Sequence, residues 1–198
     1  IRHFAYVVSM TELLILGKII WDWRASLSTY QKFQHRNAYR FLFAADIWVF
    51  LNLILGLIIS VPAANLFTHG THVTVAHAMG TTIGINTMIL LGSVFYMIEE
   101  NFGGNLRPVH SAPVRAGFWL TNGCLLVFLT ALLAAGFSRG TYAGESFGEM
   151  MEGIAPYLLT FASSGVGLML GLWMILLPAA HLIYLLVLPG KQGGAIKH

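Results

Sequence analysis

The chain is 198 residues long, 57% of them hydrophobic and 10% charged, with a formal net charge of +3. That balance excludes a water-soluble globular domain and defines an integral membrane protein, with little polar sequence left for a second, soluble unit. The single cysteine, Cys124, lies inside an apolar run, which excludes an intrachain disulfide and a cysteine-based metal centre and reads as a small packing residue.

A bilayer core of roughly 30 Å takes about 20 apolar residues per helical crossing. Five segments meet that requirement, at residues 4–21, 39–61, 74–98, 114–137 and 155–188. The predicted fold is therefore all-α, five transmembrane helices in one membrane-embedded unit spanning 1–198. The chain opens on Ile1 and enters an apolar segment without a basic leader or a small-residue cleavage site. It is expected to be part of a longer subunit.

The first segment carries Glu12, about 12 Å below its outer end at 1.5 Å per residue. A carboxyl group at that depth is costly unless it pairs, lines a cavity or handles protons, and desolvation favours its protonated form. A structural, hydrogen-bonded role is the rival reading. In the second segment, Asp46 is expected to pair with the basic loop before it, and Asn52 to make an interhelical hydrogen bond. Asn86 in the third segment carries the same expectation. In the last segment His181 reads as a packing histidine. Pro156 suits a first helical turn, and Pro178 marks where a span of ~51 Å would bend.

Where the chain enters the third segment, His69, His72 and His77 fall within nine residues. A helix turns about 100° per residue, so His72 and His77 differ by roughly 140° and cannot share a metal in the i, i+4 manner. His77 and Met79 differ by about 200°. Placed on opposite flanks, an imidazole and a thioether could each be an axial ligand to a different haem, with Ala76, Ala78, Gly80 and Gly84 letting a flat macrocycle approach. The competing reading makes Gly80 and Gly84 a small-residue helix-packing face.

Alternate loops differ in basic residues. Arg24, Lys32, Arg36, Arg40, Arg107, Arg115, Lys191 and Lys197 fall on one side, Arg2 and Arg139 on the other. The positive-inside rule makes the first side cytoplasmic and puts the histidine stretch at the outer face. Topology accounts for the basic balance, and no nucleic-acid role is assigned.

The stretch Asn65, Leu66, Phe67, Thr68, His69, Gly70, Thr71, followed by Ala76, His77 and Ala78 in an inward-running helix, resembles the catalytic large subunit of bacterial respiratory nitric oxide reductases, in the haem-copper oxidase superfamily. The family's Asn-Leu-Tyr-Thr-His-Gly-Thr element is matched with Phe67 in place of Tyr. Thr11, Glu12 and Leu13 resemble the segment bearing the family's catalytic-site glutamate. The resemblance continues through Gly117 to Asn122 and the Ala134, Ala135, Gly136 end of the fourth segment, so the five spans look like the last five of the family's twelve helices.

The resemblance implies His77 as proximal ligand of a high-spin haem b and Glu12 as a catalytic residue near a non-haem iron, as ligand or proton donor. It implies His69 beside the haem propionates, where calcium would also bind, with His72 a propionate or water contact. It implies the reduction of nitric oxide to nitrous oxide, with electrons from a cytochrome c subunit or a quinol, in a bacterial inner membrane with the haem side facing the periplasm. Two departures stand out. The family's second histidine, ligand of the low-spin haem b, is here Met79, a candidate ligand in its place. The family's three-histidine set for the non-haem iron is missing, because His3, His35, His110, His181 and His198 are scattered; an N-terminal half or a partner chain is expected to supply it. An oxygen reductase or a nitric-oxide-disproportionating relative is the alternative within the superfamily. A non-enzymatic haem-bearing or transport subunit is the alternative outside it.

Overall fold

The computed structural model describes residues 2–26, 28–102, 109–144 and 146–187, leaving out the side chains of 2–10, 12, 13, 23, 29, 30 and 33. The described chain is helical throughout. Helix α1 (Arg2–Ser26) leads through α2 (Thr29–Gln34) into α3 (Arg36–Ser60), then α4 (Pro62–Thr68). Helix α5 (His72–Met79) runs through a π-helical segment (Gly80–Asn86) into α6 (Thr87–Phe102), and α7 (Ala112–Gly140) and α8 (Phe147–Val187) follow. Among the described residues four runs are long and apolar enough to span: α3, the continuous run His72–Phe102, α7 and α8. The segment 4–21 falls in α1, which at 25 residues is ~37 Å long and has the length to cross.

Helices that are apolar all round have no water-facing side, so their contacts are set by shape rather than by a hydrophobic stripe. Small residues mark each contact. A Cβ on Gly117 would meet the Gly171 carbonyl and the Met174 side chain, and one on Gly171 would meet Thr121, so α7 and α8 cross backbone to backbone there. Cys124 packs its sulfur on Gly167 of the same crossing, the packing role expected of it. On the other side, Gly80, Gly84 and Gly92 receive Asn52, Trp48 and Leu42 of α3. Phe41 of α3 stacks on Phe95 and meets Phe118 edge-on, both with centroids 5.3 Å apart.

Four sequence readings change. The last helix starts at Phe147, so Pro156 and Pro178 both lie inside one 41-residue helix and Pro156 is not in its first turn. Asp46 forms no ion pair: its buried Oδ2 finds no hydrogen-bond partner, Ile19, Ile20 and Leu42 lie beside it, and Arg24 of the basic loop acts on it only through charge. His181 is exposed on α8 rather than packed. Asn52 does bond between helices, its amide donating to Thr81 Oγ1 at 2.5 Å, whereas Asn86 is exposed.

Candidate functional site

The motif Asn65–Thr71 builds a rigid corner. The Thr68 carbonyl accepts from Thr71 N (3.2 Å), Thr71 Oγ1 (2.8 Å) and Thr74 Oγ1 (3.2 Å). Thr71 then caps α5 by accepting from Val73 N at 3.2 Å. Gly70 turns the corner at φ 69°, a left-handed conformation that glycine adopts without steric cost. Gly136 and Gly140 of α7 lie directly on this corner, because a Cβ on either would run into backbone, of Val73 and Phe67 respectively. The Ala134, Ala135, Gly136 end singled out in the sequence is thus the seat on which the motif rests.

The corner leaves His69 exposed and His72 half-buried, one turn before His77. His77 turns toward α3, where the missing Cβ of Gly56 makes room for its ring: Cε1 lies 3.1 Å from where that Cβ would stand. Its Nδ1 is buried with no hydrogen-bond partner, and so is that of His72. Met79 faces another way and is 36% exposed. The structure therefore separates His77 from Met79 around the helix, and it does not bring His69, His72 and His77 onto one point. Among the described residues no three His, Cys, Asp or Glu side chains converge as a metal site. Glu12 lies on α1 with its side chain outside the described ones.

Gly80 and Gly84 serve the packing reading, since Asn52 and Trp48 fill the space beside them. The π-helical segment begins at Gly80, just past Met79. Its threonines bond back into the helix, Thr81 Oγ1 to the His77 carbonyl (3.3 Å), Thr82 Oγ1 to Ala78 (3.1 Å) and Thr87 Oγ1 to Thr82 (3.1 Å). A regular α-helix was expected over 74–98; the wider turn shifts everything beyond Asn86 relative to His77 without disturbing His77 and Met79 themselves. Segments of this kind concentrate at functional sites. Asn122, at the end of the second matching stretch, accepts from Trp48 Nε1 at 2.8 Å, which ties α7 to α3 across the bundle.

One residue escaped the sequence reading. Glu99 is fully buried at the far end of α6. Its carboxylate accepts from Asn37 N (2.9 Å) and Ala38 N (3.3 Å) and so caps the start of α3 from a neighbouring helix. His110 Nε2 lies 3.3 Å from Oε1, and His35 Nδ1 3.9 Å from Oε2. Burial, then the guanidinium groups of Arg36 and Arg40, push the His110 imidazole below the usual histidine range. The signal was present: Met88, Leu91, Gly92, Phe95 and Ile98 form a buried stripe at helical spacing, and Glu99 continues it.

Apolar helices joined by small-residue crossings define an all-helical integral membrane protein, with a half-buried histidine beside its π-helical turn. The chain belongs to the family described as Cytochrome C and Quinol oxidase polypeptide I, whose model matches residues 1–170. It is 26% identical over 120 residues to the cytochrome c oxidase subunit 1 homolog of Agrobacterium tumefaciens (strain T37). That match covers 56% of this chain and 22% of the relative, so the chain spans well under two thirds of the relative's length. No solved structure matches it.

Members of the family bind haem and a metal centre. An iron-bound histidine coordinates through one ring nitrogen and is steered by a hydrogen bond at the other; the His77 ring is held against Gly56, so Nε2 is the nitrogen that could coordinate, and Nδ1 is buried without such a partner.

Proposed function

We propose that this chain is the haem-ligand part of a respiratory membrane oxidoreductase, and that the whole protein reduces nitric oxide to nitrous oxide at a haem b and non-haem iron pair. The observation that carries this reading is the fixed corner Asn65–Thr71 leading into His77, whose Nδ1 is buried and unpaired. Two nitric oxide molecules, two electrons and two protons give nitrous oxide and water. The irons, when bound, supply the redox chemistry and the site of N–N bond formation.

The chain's own residues position and protect. His77 would hold the high-spin haem b, oriented by Gly56 and by the corner resting on Gly136. Met79, on another flank, would hold the low-spin haem b. His69 and, more weakly, His72 would meet the propionates, with calcium beside them. Glu12 on α1 would carry protons from the outer face, as non-haem iron ligand or donor. The three histidines of the non-haem iron would come from an N-terminal half or a partner chain, and electrons from a cytochrome c subunit or a quinol. The setting proposed is a bacterial inner membrane with the haem side facing the periplasm.

The name of the Agrobacterium relative favours a second reading, an oxygen-reducing oxidase. Purified full-length protein distinguishes them. The expected result is a haem b optical spectrum, nitric oxide consumption with nitrous oxide release, loss of one haem in His77→Ala, and loss of turnover with both haems retained in Glu12→Ala. Low-spin haem with a near-infrared charge-transfer band that disappears in Met79→Leu would support Met79 as ligand. Oxygen consumption without nitric oxide consumption selects the second reading, and absence of haem b sinks both.

A further inference from the structure

At the end of the bundle opposite the histidine corner, α3 and α7 begin side by side and leave a groove of about 300 Å³ between them. Its walls are Phe43, Ile47, Trp48, Phe118 and Trp119, with Arg40 at its mouth. The walls are open: Trp119 is 67% and Ile47 46% exposed. Arg40 stands one turn inside α3, and Arg115 at the matching level of α7. Phe43, Ile47 and Trp119 follow one or two turns deeper, which is about 5–10 Å along the helix axes.

The guanidinium groups here are held in no close ion pair, although Arg24 acts on Asp46 through charge. Arg36 and Arg115 bear on Arg40 with like charge, and Glu99 is the opposing group. The Glu99 oxygens are already engaged by Asn37 N, Ala38 N and His110. Among the described residues no ion pair involves Arg24, Arg36, Arg40 or Arg115. Instead the arginines lie on the groove's own aromatic walls, Arg24 4.3 Å from the Phe43 ring centroid and Arg40 5.6 Å from that of Phe118. Stacked in this way, a guanidinium keeps its N–H groups free for an anion.

A cluster of unpaired positive charge at the helix ends, directly above an apolar slot running into the membrane, has the polarity profile of one kind of molecule. We propose that the α3–α7 groove binds an acidic phospholipid, its phosphate held by Arg40 and Arg115 with Arg24 and Arg36 alongside, and an acyl chain laid against Phe43, Ile47 and Trp119. A basic recess between helices at headgroup depth recognises such lipids by charge, and a neutral phosphatidylcholine lacks the net charge that the cluster calls for. The site is independent of the redox reading, since it shares no residue with the histidine corner.

The test uses full-length protein reconstituted in vesicles of phosphatidylcholine, doped with either phosphatidylglycerol or phosphatidylcholine that carries brominated acyl chains. The Trp119 signal is the fluorescence difference between the wild type and Trp119→Phe. Brominated phosphatidylglycerol is expected to quench that signal severalfold more efficiently than brominated phosphatidylcholine. The preference should vanish in the double variant Arg40→Gln, Arg115→Gln and should weaken with added salt in the unmodified protein, a readout that needs no variant at the arginines. Equal quenching by the two lipids would reduce the groove to ordinary bilayer contact and overturn the proposal. No quenching by either would show that protein covers the groove, and would overturn it equally.

Discussion

Glu99 and His77 stand at opposite ends of one continuous helical run, and both are drawn against α3, yet one is saturated and the other bare. Glu99 receives two backbone N–H groups from the start of α3 and the imidazole of His110. His77 meets α3 at Gly56 with nothing but van der Waals contact, and its Nδ1 has no partner. A buried polar group left unpaired costs roughly 1–3 kcal/mol. The Glu99 carboxyl group is satisfied within these residues and serves to hold helices together, although the neighbouring His35 Nδ1 and Ser111 Oγ are buried without a hydrogen-bond partner. At the His77 end the Nδ1 atoms of His72 and His77 keep that cost unrelieved.

The comparison breaks first at the seat of the corner. Gly136→Val would drive a side chain into the backbone nitrogen of Val73. Overpacking of this kind costs about 3 kcal/mol, and the melting temperature in detergent should fall accordingly, with disorder centred on the His77 end. Gly123→Ala, on the same helix with nothing within 4 Å of the added Cβ, should leave the melting temperature unchanged or slightly raised. Equal behaviour of the two variants would mean that α7 does not support the corner.

At the saturated end, Glu99→Ala removes the acceptor for two backbone donors at once. The expected loss is about 2 kcal/mol, read as a shift in thermal or denaturant unfolding, with haem content unaffected in whatever protein still folds. Glu99→Gln keeps an acceptor oxygen and should recover part of the loss. A change in haem content without a change in stability would reverse the roles assigned to the two ends. Gly70→Ala sits between the ends in consequence: forcing Cβ onto a φ of 69° should cost about 1 kcal/mol, by strain at the turn itself.

The all-helical membrane class was legible because it depends on composition, which a bilayer translates directly into helix length, and among the described residues four of the five expected segments fall in runs long and apolar enough to span. The corner was legible as a motif, but its physical content was not: the Gly136 and Gly140 contacts pair residues 63 and 73 positions apart in the chain, and only the packed bundle brings them together. The π-helical turn was invisible to an argument that assumed a regular period. Glu99 was passed over because a carboxylate at the end of a span looks like a loop residue until its place on the buried stripe is counted. Asp46 shows the reverse error, since nearness to the basic loop supplied the charge of Arg24 but no hydrogen bond to its buried Oδ2.

The smallest expected effect concerns His110, where the saturated end meets the arginines. Its folded imidazole lies below the usual histidine range, chiefly through burial, with Arg36 and Arg40 acting in the same direction. A histidine whose folded value is depressed binds its proton more readily when unfolded. Its contribution to stability is therefore fully present above the ordinary histidine value of about 6.5 and declines as the pH falls through that value, levelling off below the folded one. Unfolding of the wild type measured between about pH 7.5 and 5 should show this decline, and His110→Gln should flatten it while leaving the Glu99 bonds to Asn37 and Ala38 in place. A decline of equal steepness in both proteins would mean that His110 is not the group responsible.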